Sequence, residues 1–457
     1  MPAKKKVQPK KDVKKTTKKA VKKTTEKKIK TYDPLRGMKD VLPKHESYWL
    51  DVSRISRSVA SAYGYKYMQT PVLEPAQLFI RSIGKATDVI SKEMYVFEDR
   101  DGKKVAMRPE FTAGIARAYI SNGMHSLPQP VKVWYEGPVF RHDRPQAGRY
   151  RQFNQFGCET LGDRDPVIDA ELIVVAYNTL KDIGLETLVY INSIGSEEDR
   201  QNYIVELVGY LRSKRAYLSE ESRKRINKNP LRILDSKNEQ DKEVVQDAPQ
   251  ILDWLSQESK DYFMKVLEYL DELHIPYVLT PTLVRGLDYY SDTVFELYLD
   301  KDGEEDGSQN ALCAGGRYDG LVEQIGGRPT AAAGFSMGIE RVILALKEKA
   351  QQHQGKEKKE KQPHLFFAQL GEQGRRRALF LMEELRREGI TLGANLSKGS
   401  LKAQLELADK QHATHTVILG QKEVQDGTVI IRDMSSGIQE IVDQKKIGKK
   451  LKKILEA

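Results

Sequence analysis

A chain of 457 residues, 39% of them hydrophobic, is long enough for two to four domains with substantial cores. No apolar run approaches the roughly 18 residues that a membrane helix needs, and a lysine-rich start is not a secretory signal. Two cysteines, Cys158 and Cys313, make neither a disulfide framework nor a zinc site by themselves, so a cytoplasmic protein with reduced thiols is expected.

The formal charge of +10 sits at one end. The first thirty residues hold fourteen lysines against Asp12 and Glu26, a net +12 that leaves the rest of the chain at −2. In this tail, residues 1–31, lysine pairs recur about every four residues with almost nothing apolar to bury, so it is expected to be disordered in isolation. It is read either as a source of salt-sensitive affinity for RNA phosphates or as a solubilising extension without a specific partner. It has no arginine and contains acids, which fits a mitochondrial presequence poorly.

Folded sequence begins near Leu35. A helix is expected from about His45 to Tyr63, then a strand around Tyr65 to Val72 leading into the proline-flanked PVLEP (71–75). An antiparallel pair follows about the Asp101-Gly102 turn, a strong hairpin signal, and then a helix from about Thr112 to Ser121.

Residues 131–160 carry the most information. Two strand-like runs flank a loop holding Arg141, Arg144 and Arg149, with Pro145 and Gly148 as hairpin residues. Period-2 alternation puts Arg151, Phe153, Gln155, Gly157 and Glu159 on one face. Glutamine and glutamate on either side of a glycine suit the floor of a site for a small polar molecule, the missing side chain leaving space. The arginines supply bidentate donors for phosphate. A site where phosphate meets a small zwitterion is expected.

A helix is expected at 166–180 and a strand at 188–193. Residues 197–273 are charged, glycine-poor and apolar at helical spacing, and are read as a helical insertion. Strands return from Tyr277, with a Gly/Asp-rich turn at 302–308. A low-complexity stretch, 347–362, precedes a final unit (363–457) whose strands alternate with helices near 374–388 and 400–410, as in a small α/β domain.

These segments resemble the histidyl-tRNA synthetase family of class II aminoacyl-tRNA synthetases. The 131–160 hairpin is similar to the second class motif, and GFSMGIERVILAL (334–346) to the third. PVLEP resembles the end of the first, which builds a dimer interface. LVRGLDYYSDTVFEL (283–297) and AGGRYDGLVEQIGG (314–327) resemble signatures specific to the histidine family. The resemblance covers about 32–457. It implies an α+β catalytic domain on an antiparallel sheet (32–346, with the insertion at 197–273), a linker (347–362) and an α/β anticodon-binding domain (363–457).

It also implies activation of L-histidine by ATP with Mg²⁺, then transfer to the 3′ end of the histidine tRNA by a homodimer. Arg141 would hold the α-phosphate. Arg285 would stand near it, where other class II enzymes lean on a metal ion. Arg341 would grip the γ-phosphate side and stack by the adenine. Arg341 lies in a first helical turn, against the helix dipole, a small cost that points to use beyond stability. Arg149 joins these in binding ATP. Glu110 and Thr112 would surround the α-amino group, Gln155 would hold backbone polar groups, and Glu159 and Tyr290 would bracket the imidazole with Tyr289 beside them. Gly315 and Gly316 would let the backbone come close. Arg144 and Gln146 would face the acceptor stem or the ATP phosphates. The Mg²⁺ ligands are not assigned.

Two positions depart from the family pattern: Phe111 stands where a glycine is common, and Asp143 where a glutamate is. A synthetase-like regulatory subunit of ATP phosphoribosyltransferase is the rival reading, but such subunits usually lose catalytic arginines and lack the C-terminal domain. A hydrolase is the second rival, because residues 334–338 match G-x-S-x-G about Ser336. That motif needs a hydrophobic strand before it, and PTAAA (329–333) is a poor one, so Ser336 is expected in a tight turn.

Overall fold

The computed structural model describes residues 32–84, 87, 89–300, 311–352, 365–397 and 399–456. The lysine-rich tail and the 302–308 turn lie outside the described residues. The first helix, α1 (Glu46–Ala62), precedes strands β1 (Lys66–Tyr67) and β2 (Leu73–Pro75) and helix α2 (Ala76–Ile83). The Asp101-Gly102 turn joins β3 (Val96–Glu98) to β4 (Lys104–Met107), and α3 (Thr112–Ser121) follows. The informative hairpin is β5 (Val131–Phe140) with β6 (Gln152–Leu161), pairing Tyr135 with Gly157 and Val133 with Glu159.

Helix α4 (Pro166–Ile183) shows why the boundaries fall where they do. Asp165 caps its start by accepting from Val167 N at 3.0 Å, Pro166 needs no donor there, and Gly184 ends it in the left-handed region at φ 101°. Strand β7 (Thr187–Ser193) leads to helices α5 (Glu197–Ser213), α6 (Glu220–Arg225), α7 (Leu231–Leu234), α8 (Glu239–Gln246) and α9 (Gln257–Glu272). The larger unit closes with β8 (Tyr277–Leu279), β9 (Ser291–Leu299), β10 (Cys313–Arg317), α10 (Leu321–Gln324), β11 (Ala332–Gly338) and α11 (Ile339–Gln352).

The large sheet has the order β1-β5-β6-β11-β10-β9-β7-β8, antiparallel throughout except for the parallel edge pairs β1/β5 and β7/β8. An antiparallel catalytic sheet was expected, and the alternation of β6 explains its two faces. Phe156 and Cys158 point into a core with α1, α4, α9 and α11, through residues such as Val52, Leu172, Val266 and Val342. The opposite face carries the neighbours of Gly157 and Glu159 and packs against α2, α3 and the inserted helices.

Two boundaries differ from expectation. Helix α9 belongs to the first core, through Phe263, Val266, Leu267 and Leu270, and completes a crossover between the parallel strands β7 and β8. The inserted helices proper are therefore α5 to α8, and helical periodicity alone cannot tell one core from another. Helix α11 runs to Gln352, so residues 347–352 extend it instead of starting a linker; 353–362 lie outside the described residues. Charge-rich sequence continues a helix as readily as it forms a linker when one face stays apolar.

The final unit is a mixed sheet of β12 (Leu365–Gln369), β13 (Gly393–Ala394), β14 (His415–Leu419), β15 (Thr428–Asp433) and β16 (Gln439–Asp443) in the order β13-β12-β14-β15-β16. Helices α12 (Gly371–Arg387), α13 (Leu401–Lys410), α14 (Gln421–Asp426) and α15 (Ile447–Glu456) accompany it, giving the expected α/β unit. No helix among the described residues is long and apolar enough to cross a membrane.

Candidate active site

A cavity of about 380 Å³ opens on the face of the large sheet away from α1 and α4. It gathers nine residues singled out in the sequence: Glu110, Thr112, Arg141, Arg149, Gln155, Arg285, Tyr289, Tyr290 and Arg341. They come from segments as far apart as the start of α3, the β5–β6 hairpin, the stretch before β9, and α11.

Arg141 and Arg341 are aimed by backbone carbonyls. Arg141 donates from Nε to Pro109 O at 2.8 Å, and its guanidinium stands 5.6 Å from the Phe153 ring centre. Arg341 donates from Nε to Gly148 O at 3.2 Å and from Nη1 to Ala311 O at 2.8 Å. Carbonyls orient these side chains without cancelling their charge, so the positive potential remains for an anion. Burial, followed by repulsion from Arg149 and Arg141, pushes Arg341 down to about 10. Arg285 is ion-paired with Glu296, while its Nε is buried without a partner. Arg149 reaches Asp143 at 3.4 Å.

Two acceptors on the same cavity have no donor. Glu110 accepts from Ala113 N at 2.9 Å through Oε1, closing the first turn of α3, while Oε2 is buried with no partner. Gln155 donates to Ser336 Oγ at 3.3 Å, and its Oε1 is likewise buried and unpartnered. Two orphaned acceptors on one cavity are costly unless a ligand donates to them. Burial also raises Glu110 above its usual range.

Glu159 does not line the cavity. It lies beneath, buried, accepting from Thr112 Oγ1 at 2.7 Å and Tyr135 Oη at 3.1 Å, and also from Tyr318 Oη. Burial drives it up to about 8 against the pull of these donors. Gly157 leaves no empty space either: a Cβ there would run into the Tyr135 hydroxyl and the Phe335 carbonyl. Alternation placed both residues on the correct face, but it could not show that a tyrosine from the neighbouring strand fills the gap. Gly315 is crowded in the same way by the Gly334 carbonyl, and Gly316 by that of Thr293.

Arg144 and Gln146 are exposed in the hairpin loop and do not line the cavity. Ser336 sits inside β11, opposite Gly157 and Ala314, so it is neither in a tight turn nor at a strand-to-helix elbow. The alanine run does form a strand, because both of its neighbours in the sheet are already extended. Phe111 borders the cavity but is fully buried, stacked on Tyr135 with ring centres 4.2 Å apart. Asp143 is spent on Arg149 and on the backbone N of Arg144, at 2.6 Å.

Sequence reasoning missed Tyr318, Arg232 and Glu340. Tyr318 lay in view within AGGRYDG. Arg232, on α7, lines the cavity from the insertion with nothing in its own segment to announce it. Glu340 accepts from Asn154 N and Nδ2 at 2.9 and 3.0 Å. Among the described residues, no three of His, Cys, Asp and Glu gather as a metal-holding group. Glu296 and Glu340 also line the cavity, but Glu296 is ion-paired with Arg285 and both oxygens of Glu340 accept from Asn154, so neither is a ready magnesium ligand.

Comparison with known proteins finds close relatives over most of the chain. A family model described as Histidyl-tRNA synthetase matches residues 37–342, and one described as Anticodon binding domain matches residues 342–454. A histidine–tRNA ligase of Thermosynechococcus vestitus is 43% identical over 413 residues, spanning 90% of this chain and 94% of its own. The apo histidyl-tRNA synthetase of S. aureus is similar with a TM-score of 0.74 at 33% identity, over 92% of this chain and 99% of its own. An ATP phosphoribosyltransferase regulatory subunit/histidyl-tRNA synthetase from Bacillus halodurans, with a TM-score of 0.61 at 22% identity over 86% of this chain and 99% of its own, shares the fold alone.

Proposed function

The chain belongs to the histidyl-tRNA synthetase family, enzymes that join histidine to tRNA, and on that premise we propose how its cavity performs the reaction. The observation that carries the reading is the pairing of two orphaned buried acceptors, Glu110 Oε2 and Gln155 Oε1, with Arg141, Arg149, Arg285 and Arg341 on one cavity. The acceptors receive the α-ammonium of histidine. The arginines receive the triphosphate of ATP.

In the first step the histidine carboxylate attacks the α-phosphorus, and pyrophosphate leaves. Such a transfer depends on positioning and charge neutralisation more than on covalent help. Arg141 and Arg285 hold the α-phosphate and the attacking carboxylate together. Arg341 and Arg149 take the leaving pyrophosphate. Magnesium, carried on the triphosphate, would add further neutralisation. Tyr289 and Tyr290 flank the imidazole, and Glu159 acts from below by fixing Thr112 and Tyr318. In the second step a ribose hydroxyl at the 3′ end of the tRNA attacks the acyl carbon of the adenylate, forming the ester, losing its proton and releasing AMP, and 363–457 reads the anticodon.

We assign the chain to the cytoplasm and to a homodimer. Leu73 on β2 and Val96 and Phe97 on β3 are apolar and exposed, in and beside the segment resembling the interface motif. The regulatory reading is not favoured, because all three catalytic arginines and the C-terminal unit are retained.

The experiment is amino-acid-dependent ATP–pyrophosphate exchange with each of the twenty amino acids and no tRNA. Exchange with histidine alone supports the assignment. Histidine binding without exchange would return the regulatory reading.

A further inference from the structure

The stretch 285–290 carries Arg285, Tyr289 and Tyr290, yet it lies between β8 and β9 with no ladder of its own. Its shape must therefore be imposed by neighbours. On one side Asp288 N donates to Ile83 O at 3.2 Å, and Gly84, at φ +97°, gives way to the Asp288 carboxylate, which a Cβ there would strike.

The inserted helices supply the other side. Arg200, in the first turn of α5, donates from Nη1 to the Tyr290 carbonyl at 2.5 Å. Asn229 donates from Nδ2 to Asp288 Oδ1 at 3.4 Å. Arg232 places Nη1 3.7 Å from where a Cβ on Gly286 would stand, and lines the cavity itself. Its ion pair is with Asp235 at 2.9 Å, three residues along and partly exposed, so it is weak enough for a phosphate to displace. These side chains are not adventitiously placed. Tyr203, Leu207 and Leu211 bury α5, and Ile233 and Leu234 bury α7.

We propose that the helical insertion clasps residues 285–290, with Arg200 as a positioning residue for the histidine pocket and Arg232 as the insertion's own cation in the cavity. Two hydrogen bonds from the insertion, from Arg200 and Asn229, thus converge on these six residues, with the Arg232 guanidinium beside them. The proposal rests on the reading that Arg285, Tyr289 and Tyr290 face the substrates. It makes adenylate formation depend on the insertion before any tRNA arrives.

The test is histidine-dependent exchange by the full chain without tRNA, in Arg200→Gln, Arg200→Lys, Arg232→Gln and, as a control, Arg212→Gln. Arg212 lies on the same α5 but bonds Asn227 at 2.9 Å, away from the clasp. Arg200→Gln should lower kcat/KM for histidine by about tenfold to a hundredfold, mainly through KM, since small misplacements are that costly. Arg200→Lys, which keeps a donor for the carbonyl, should recover part of the loss. A role confined to stability would move neither the KM split nor the rescue. If Arg200→Gln does not fold, Arg232→Gln reads the same parameter with a several-fold loss. Unchanged KM in the Arg200 and Arg232 variants, or an equal loss in Arg212→Gln, overturns the clasp. Absence of exchange by the unsubstituted enzyme brings down the activity reading, and the clasp with it.

Discussion

The hydroxyl of Thr112, on the cavity wall, donates at 2.7 Å to the carboxylate of Glu159, which is only 1% exposed. The group that sequence placed against the imidazole thus accepts hydrogen bonds from Thr112, Tyr135 and Tyr318. Its ionisation is opposed by burial, which raises it to about 8.

That shift has a consequence for stability. Below the ordinary value of 4.5 both folded and unfolded chains hold the proton. As pH rises the unfolded chain loses it first, so stability declines until the folded carboxyl ionises near pH 8. Glu159→Gln removes this decline. Denaturant unfolding at pH 5.5 and pH 8 should show a smaller loss in the variant than in the parent, by an amount on the order of a few kcal/mol. Equal losses would mean that Glu159 ionises normally.

Gly157→Ala should be poorly tolerated, because the new Cβ meets the Tyr135 hydroxyl on one side and the Phe335 carbonyl on the other. Overpacking of this kind costs about 1–3 kcal/mol. Histidine affinity should fall with it, since Tyr135 must retreat from Glu159. The ring Cζ of Tyr135 stands as close as the Phe335 carbonyl, so Tyr135→Phe should not rescue the loss, which the urea midpoint measures. A neutral Gly157→Ala would contradict the close approach.

Local pattern made the large elements legible. The β5–β6 hairpin, α3 and the C-terminal α/β unit fell where alternation, the Asp-Gly turn and helical periodicity put them. The resemblance to family motifs picked out residues that do gather at one cavity, although motif and spacing say nothing of depth. Hence Glu159 was placed on the wall instead of beneath it, and Gly157 beside a void that Tyr135 fills. Non-local facts were invisible for a different reason. Helix α9 looks like α5 in sequence, and only contact with α4 separates them. Arg232 has no signature, because what makes it notable is a neighbour, Gly286, more than fifty residues away in the chain.

Phe111→Gly restores the residue common in the family and tests whether that departure weakens the site. Phe111 is stacked on Tyr135 at 15°, and the Arg108 guanidinium stands 3.8 Å from its ring centre. Gly137 makes the room, since a Cβ there would come within 3.3 Å of the Phe111 ring. The phenylalanine is thus core, compensated elsewhere in the sequence. Its removal should cost about 3–5 kcal/mol, lowering the melting temperature with no gain in exchange rate. A variant both faster and as stable would show that the pocket edge had been obstructed.

Arg285→Ala tests the electrostatic core of the mechanism. Its guanidinium is tied to Glu296, which also accepts from Tyr298 Oη, and its Nε is buried and unpartnered. Preorganised donors of this sort are worth about 10²–10³ in rate when directed at developing charge. The variant should therefore form adenylate about that much more slowly in single turnover, while calorimetry still detects histidine binding. Removing Arg285 also strands Glu296, which on its own would destabilise the fold. The double variant Arg285→Ala/Glu296→Gln separates the two effects: stability should return and the rate should not. Near-normal turnover in Arg285→Ala would remove the residue from the chemistry, and recovery of rate in the double variant would make its role one of neutralising Glu296.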